Sequence, residues 1–163
     1  KTHIGNRTSV VSAIILDPKG KTSYGSDNLN NDNVIVILGE TVSEAYLLHL
    51  RDNGISYLFA GKDGNDLSKA LDILYTDFGQ QTILLEGGGM INGAFLKAGL
   101  IDELSLMVYP GIDGLAGIPS IIDYKGREDE LPAEDQALEW LSAETLNDGL
   151  VWLRYKLHQP QND

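Results

Sequence analysis

The chain contains no cysteine, few basic residues and no long hydrophobic run, and each lack narrows what the protein can be. Without cysteine, disulfides, thiolate metal sites and cysteine nucleophiles are excluded, which fits a cytoplasmic protein. The 12 Lys and Arg residues are outnumbered by 24 Asp and Glu residues, and the net charge is −12. This argues against a nucleic-acid partner, because phosphate backbones are bound by clustered cations. No apolar run reaches membrane-spanning length, and no signal peptide is visible.

What is present indicates one globular domain. The 163 residues are 42% hydrophobic and 22% charged, which is enough for a single domain with its own core. No linker or repeat divides the chain, so we expect one domain over residues 1–163. The first residue is Lys1 rather than Met, and we expect a piece of something longer.

Hydrophobic periodicity predicts strands alternating with helices along most of the chain. The expected strands are Ser9–Leu16, Val34–Leu38, Ile55–Ala60, Ile83–Leu85 and Leu104–Tyr109, and the polar stretches 24–33 and 123–135 are expected to be loops. Expected helices begin at a Thr41 or Ser43 cap, at an Asp66 cap, and after Gly89. Residues 137–146 and 150–157 flank Asn147-Asp148-Gly149, which predicts a β-hairpin.

This order of elements indicates an α/β fold. Strand–helix alternation implies parallel pairing with helices on the sheet faces. The closing hairpin must add antiparallel strands. We therefore predict a three-layer α/β/α architecture with a mixed, mainly parallel sheet and a C-terminal antiparallel hairpin.

A glycine-rich turn is the strongest functional signal in the sequence. Three glycines, Gly87 to Gly89, follow the short apolar run and Glu86, and a helical pattern starts directly after them. Unpaired N–H groups at a helix start, approached closely through glycine, can bind an anion. A tight connection alone would need only one glycine. A P-loop is excluded, because no Gly-Lys-Ser/Thr follows, and the spacing misses the usual Rossmann pattern by one place.

The same region carries a family resemblance. Leu84-Leu85-Glu86-Gly87-Gly88-Gly89, then residues 92–104 (Asn-Gly-Ala-Phe-Leu-Lys-Ala-Gly-Leu-Ile-Asp-Glu-Leu) and Pro110, resembles the signature of the riboflavin-biosynthesis reductase C-terminal domain. The resemblance extends from about Ser9 to Leu157 and implies a dihydrofolate-reductase-like fold. That family begins with a strand and an "S-x-D-G" turn, and nothing in residues 1–16 matches it. The resemblance thus implies a domain lacking its N-terminal part.

The resemblance also implies a cofactor site. The turn and the helix start would cradle the pyrophosphate of NADPH, around a strained Gly–Gly peptide, with Gly87, Gly88, Gly89, Met90, Ile91, Asn92 and Gly93. Asp17 and Pro18 would lie near the cofactor, and Gly39 and Thr41 near its adenosine end. Glu86 would face the substrate, although it could instead cap the helix or pair with a lysine. Glu40 suits a ribose hydroxyl better than a 2′-phosphate, so NADPH rather than NADH rests on the family alone.

The implied function is an NADPH-dependent reductase of the 5-amino-6-(5-phosphoribosylamino)uracil reductase type, which transfers hydride to a small heterocyclic or sugar substrate. The net charge of −12 is a poor background for binding a phosphorylated substrate, so the riboflavin precursor need not be the substrate. The alternative is a non-catalytic nucleotide-binding or dimerisation module. The family pairs through its C-terminal strands, which implies a homodimer with Trp140, Trp152 and Tyr155 available for the contact.

Two further features are interpreted as structural. Asp102 and Glu103 precede a strand, and we expect capping or pairing with Lys97 or Arg154. The three histidines, His3, His49 and His158, are scattered along the sequence. No metal site is therefore predicted, and no residue can be assigned as the catalytic one.

Overall fold

The computed structural model describes residues 1–112, 114 and 116–158. The chain forms two compact units, one spanning Lys1–Ile83 and one beginning at Leu84. Its elements in chain order are β1 (Ser12–Leu16), β2 (Asn28–Leu29), β3 (Asp32–Leu38), α1 (Glu44–Asp52), β4 (Ser56–Phe59), α2 (Leu67–Thr76), α3 (Gly89–Lys97), β5 (Glu103–Val108), β6 (Ala137–Thr145) and β7 (Val151–His158).

The first unit is a sheet between two helices. Strand β3 lies at its centre, parallel to β1 on one side and to β4 on the other. Side chains alternate across a strand, so Val34, Val36 and Leu38 pack in the core cluster that contains Leu47 and Leu50 of α1. Ile35 and Ile37 pack with α2 instead. The α/β/α layering predicted from the sequence is confirmed, with all of residues 33–39 buried.

Both helices of this unit begin where their caps predict. The Ser43 side chain accepts a hydrogen bond from the Tyr46 N–H, and the Asp66 side chain accepts one from the Lys69 N–H. These bonds satisfy donors that a helix start leaves unpaired. The expected polar loop at 24–33 is partly wrong, since it contains β2, which pairs antiparallel with β3. Asn30 and Asn31 make the reversal with φ of 51° and 74°, a conformation that Asn tolerates better than most residues.

The strand expected at Ile83–Leu85 is wrong. Between α2 and α3 the described chain has no strand, and Leu84 is 81% exposed. Of residues 83–85, only Ile83 packs against the core of the first unit, beside Ile14 and Leu16. A strand exists only where a neighbouring strand accepts and donates its backbone hydrogen bonds. Three apolar residues indicate burial without identifying such a neighbour.

The second unit contains α3 and an antiparallel sheet in the order β5-β7-β6. The predicted hairpin is confirmed: Asp148 and Gly149 take φ of 61° and 78° in the turn joining β6 to β7. Arg154 of β7 donates two hydrogen bonds to the Glu103 carboxylate, at 2.8 and 3.1 Å. The structural interpretation of Glu103 is therefore correct. The α/β class is confirmed, with its strands divided between two sheets rather than one.

The acidic stretch agrees with its prediction as a loop, apart from an ion pair to α3. The acidic stretch 123–135 is mostly exposed, as predicted, although Glu130 pairs with Lys97 at the end of α3. Among the described helices none is long and apolar enough to cross a membrane.

Candidate functional site

Asp17 sits at the carboxyl end of β1 and organises the turn that follows it. Its carboxylate accepts hydrogen bonds from the N–H groups of Lys21 and Thr22, each at 2.9 Å. The Tyr46 hydroxyl lies 2.9 Å from Oδ2 of Asp17. Burial raises the pKa of Asp17, but these donors and the Thr22 side chain outweigh burial and hold that pKa below its usual value. At 7% exposure, Asp17 is committed to the protein's own donors, so a role near a cofactor would be to shape the turn.

This arrangement predicts a pH-dependent stability. Because the folded pKa of Asp17 is depressed, its contribution is present above the unfolded pKa and is lost as the pH falls through the folded pKa. We expect Asp17→Asn to lower the free energy of unfolding by about 1–3 kcal/mol at neutral pH. The difference from the wild type should narrow below about pH 4. Urea unfolding at several pH values measures it, with exposed Asp72→Asn as the control. A difference in the free energy of unfolding that stays constant as the pH falls below about 4 would contradict the role given to the Asp17 carboxylate.

The loops after the three parallel strands converge beside Pro18. Gly39, after β3, donates its N–H to the Pro18 carbonyl at 3.0 Å. A Cβ on Gly39 would lie 2.8 Å from that oxygen, and a Cβ on Gly64, after β4, would lie 2.7 Å from Cβ of Pro18. Only glycine allows this approach. Pro18 and Gly39 are thus brought together, while Thr41 is exposed next to them.

A cavity of about 390 Å³ lies in the same unit. It is lined by Lys1, Thr2, Glu40, Phe59, Lys69 and Ile73. Lys69 of α2 places its Nζ 3.6 Å from a carboxylate oxygen of Glu40. Lys69 and Phe59 were not predicted as site residues, because no sequence motif marks them. Only the fold brings α2 and β4 next to the loop after β3.

The glycine turn lies in the second unit, at the start of α3. Gly87 has φ of +85°, and the Gly87–Gly88 peptide bond is cis. Gly88 is the N-cap of α3, and because glycine has no side chain, it provides no cap hydrogen bond to the first N–H groups of the helix. Apart from its two chain neighbours, no described residue has an atom within 4 Å of where a Cβ on Gly88 would stand. The turn therefore presents open backbone next to helical N–H groups that have no partner within the helix.

The other two glycines of the helix face protein rather than open space. A Cβ on Gly89 would overlap the Ser120 carbonyl oxygen, and one on Gly93 would overlap the Asp123 carbonyl oxygen. The Asp123 N–H also donates to the Gly89 carbonyl at 3.0 Å. The segment 120–124 therefore packs backbone to backbone on α3. Glycines four residues apart on one helix face are the sequence signal for this contact.

The remaining predicted residues divide by exposure. Glu86 and Met90 are exposed, while Ile91 and Asn92 are half-buried. Glu86 does not cap α3, which leaves its carboxylate on the surface before the turn. The predicted site residues fall into two sets, one in each unit. No group of three or more possible metal ligands occurs among the described residues.

Comparison with known proteins shows the fold and the family. A solved pyrimidine reductase-like protein from Corynebacterium diphtheriae aligns with 91% of this chain and 61% of its own, at 22% identity and a TM-score of 0.70. A solved RibD from Acinetobacter baumannii aligns with 89% of this chain and 37% of its own, at 23% identity and a TM-score of 0.66. These neighbours have the dihydrofolate-reductase-like fold, as predicted.

A sequence relative points the same way. A 2,5-diamino-6-ribosylamino-4(3H)-pyrimidinone 5′-phosphate reductase from Aquifex aeolicus (strain VF5) is 26% identical over 99 residues, which is 61% of this chain and 44% of that protein. The chain thus spans less than two thirds of the length of these relatives. The family model described as RibD C-terminal domain matches residues 5–152. The chain therefore belongs to the RibD C-terminal domain family.

Proposed function

We propose that the chain is part of an NADPH-dependent reductase that transfers hydride to a ribosylaminopyrimidine 5′-phosphate or a related small heterocycle or sugar. The observation that carries this proposal is the open backbone at Gly88 beside the start of α3, in a chain of the RibD C-terminal domain family. A helix start with accessible glycine N–H groups suits a pyrophosphate. The absence of cysteine supports the reducing cytoplasm as its compartment.

The residues of this chain would bind and orient the reactants. The bound nicotinamide supplies the hydride from its C4 atom. Gly87 and Gly88 would receive the pyrophosphate, with Gly89, Met90, Ile91, Asn92 and Gly93 fixing the start of the helix beneath it. Exposed Glu86 would meet the substrate side of the turn. A carboxylate there would accept hydrogen bonds from ring N–H or ribose hydroxyl groups.

In the first unit taken by itself, Gly39 and Thr41 at the loop after β3 would form a surface for adenosine, with Pro18 packed beside Gly39. The neighbouring cavity adds one cation, Lys69, and one anion, Glu40. Lysine is a point charge suited to a 2′-phosphate, whereas a carboxylate suits a ribose hydroxyl. The balance between these two side chains would set the preference for NADPH or NADH.

This balance is testable by paired substitutions. We expect Lys69→Ala to weaken NADPH binding by about three- to tenfold, the effect of one partly screened charge, and to leave NADH binding unchanged. Glu40→Gln should strengthen NADPH binding by removing a like charge. Calorimetric titration of both nucleotides against both variants measures the effect. Equal changes for NADPH and NADH would contradict placement of the 2′-phosphate at this cavity.

A direct assay tests the reaction itself. The full-length protein is incubated with NADPH and a 2,5-diamino-6-ribosylamino-pyrimidinone 5′-phosphate or its deaminated uracil analogue, and the ribityl product is identified by mass spectrometry. Stoichiometric NADPH consumption supports the proposal. Binding of NADPH without reduction of either compound would oppose this substrate class and leave a different heterocycle or sugar.

The alternative is a non-catalytic nucleotide-binding or dimerisation module, and one observation supports the dimerisation that it shares with the reductase. Strands β5, β7 and β6 present an apolar face that includes Leu106, Leu138, Trp140 and Tyr155, and Trp140 is 65% exposed. Trp152 is on the opposite face, where its indole N–H donates to Ser105 at 2.8 Å. An exposed aromatic on an apolar sheet face is typical of a protein contact. We propose that a second copy covers this face, in the reductase as in the module.

A further inference from the structure

Asn92 connects the glycine turn to the segment 120–124. Its Nδ2 donates a hydrogen bond of 2.7 Å to the Ile121 carbonyl. A Cβ on Gly87 would lie 3.0 Å from Nδ2 and 3.3 Å from Oδ1 of the same side chain. The carboxamide thus packs against the α-carbon of Gly87 while it is tied to Ile121.

The side chain is placed to act on the protein rather than on a ligand. Oδ1 of Asn92 is buried and has no hydrogen-bond partner among the described residues. An atom sealed from solvent cannot contact a ligand that arrives from solvent. The surface that remains open is the backbone of Gly88, next to the residue on which Asn92 packs.

A second hydrogen bond joins segment 120–124 to α3. The Asp123 N–H donates to the Gly89 carbonyl at 3.0 Å, and Gly93 lets the Asp123 carbonyl approach the helix axis. The segment is therefore bound to the helix at two points, one of them through Asn92. Because a carbonyl acceptor fixes the carboxamide plane, the position of the segment determines the surface on which Gly87 rests.

We propose that Asn92 is a positioning residue, which holds Gly87 and Gly88 in the orientation that receives the nucleotide phosphates and couples that orientation to segment 120–124. This rests on the proposed function, since the ligand is the nucleotide assigned there. Nucleotide affinity then depends on a side chain that does not touch the nucleotide. The segment, in turn, becomes part of the binding apparatus although it lies some thirty residues further along the chain.

The test uses Asn92→Ala and Asn92→Ser in the full-length protein. Asn53→Ala is the matched control, because Asn53 also donates from Nδ2 to a backbone carbonyl, that of His49 at 2.9 Å, but does so at the end of α1. Calorimetric titration with NADPH gives both affinity and stoichiometry. Hydrogen exchange reports the Asp123 amide and the amides of residues 87–89 without ligand.

We expect both Asn92 variants to raise the Kd for NADPH about tenfold, the effect of one lost hydrogen bond, at unchanged stoichiometry. In both variants the hydrogen-exchange rates of the amides of residues 87–89 and of Asp123 should rise together. The control should keep the wild-type Kd. An unchanged Kd, or a reduced stoichiometry at unchanged Kd as partial unfolding would give, overturns the positioning role while the proposed function stands. Wild-type protein that binds neither NADPH nor NADH overturns both.

Discussion

Gly93→Ala should lower the free energy of unfolding of the second unit by at least about 2 kcal/mol, as overpacking against an unyielding backbone does. The added methyl group would overlap the Asp123 carbonyl oxygen, and the nearest atoms belong to the main chain rather than to a flexible side chain. Segment 120–124 would have to move away from α3. Its hydrogen bond from Asp123 to Gly89 would then be lost as well.

The measurement is urea unfolding followed by tryptophan fluorescence. Both tryptophans, Trp140 and Trp152, lie in the unit that contains Gly93, so the signal reports on the affected region. Gly25→Ala is the control, because in the described part of the chain only its direct neighbours lie within 4 Å of its Cβ position. It should leave stability within about 0.5 kcal/mol of the wild type. A Gly93→Ala protein as stable as the wild type would refute the backbone contact.

Gly88→Ala should change stability little and weaken nucleotide binding, the opposite of what we expect for Gly93→Ala. Its Cβ position is open and its φ is −64°, so alanine meets no steric obstacle and stability should change little. The methyl group would nevertheless occupy the space through which phosphate oxygens would reach the helix start in the proposed function. We expect the Kd for NADPH to rise by roughly tenfold to a hundredfold, since a contact to several N–H donors is lost.

The two alanine variants separate the uses of the glycines. Gly93 allows the Asp123 carbonyl to pack on α3, whereas the proposed function needs Gly88 to leave the backbone accessible to a ligand. Calorimetric titration of Gly88→Ala, with its melting temperature recorded in the same buffer, distinguishes loss of binding from loss of fold. Wild-type affinity in Gly88→Ala would show that the nucleotide does not approach this residue.

Local signals in the sequence predict the helix starts and the hairpin turn well. The Ser43 and Asp66 caps and the Asp148-Gly149 reversal act within a few residues of the chain, and the structure contains each of them. These features depend on side chains that bond to their own backbone or on conformations that few residues adopt. Such chemistry is visible in the sequence.

Pairing and long-range contact are less visible. Residues 83–85 are apolar, which predicted a buried strand, but they form no strand and Leu84 is exposed. Hydrophobicity indicates burial and does not identify a strand that would pair with them. The Asn30-Asn31 turn lies in a polar stretch that predicted only a loop, so the pairing of β2 with β3 was not predicted. Segment 120–124 reaches α3 across about thirty residues of chain, and Lys69 meets Glu40 only through the fold. Gly89 and Gly93 let segment 120–124 approach α3 closely, but nothing local in the sequence identifies that segment as the one that approaches.

One measurement tests the central claim that the glycine turn of this chain binds a nicotinamide nucleotide. The full-length protein is titrated with NADPH and with NADH, followed by calorimetry and by the rise in melting temperature that a ligand specific for the folded state produces. Saturable binding at one site per chain, abolished or strongly weakened in Gly88→Ala, is the predicted result. No heat and no thermal shift with either nucleotide at millimolar concentration would contradict the account.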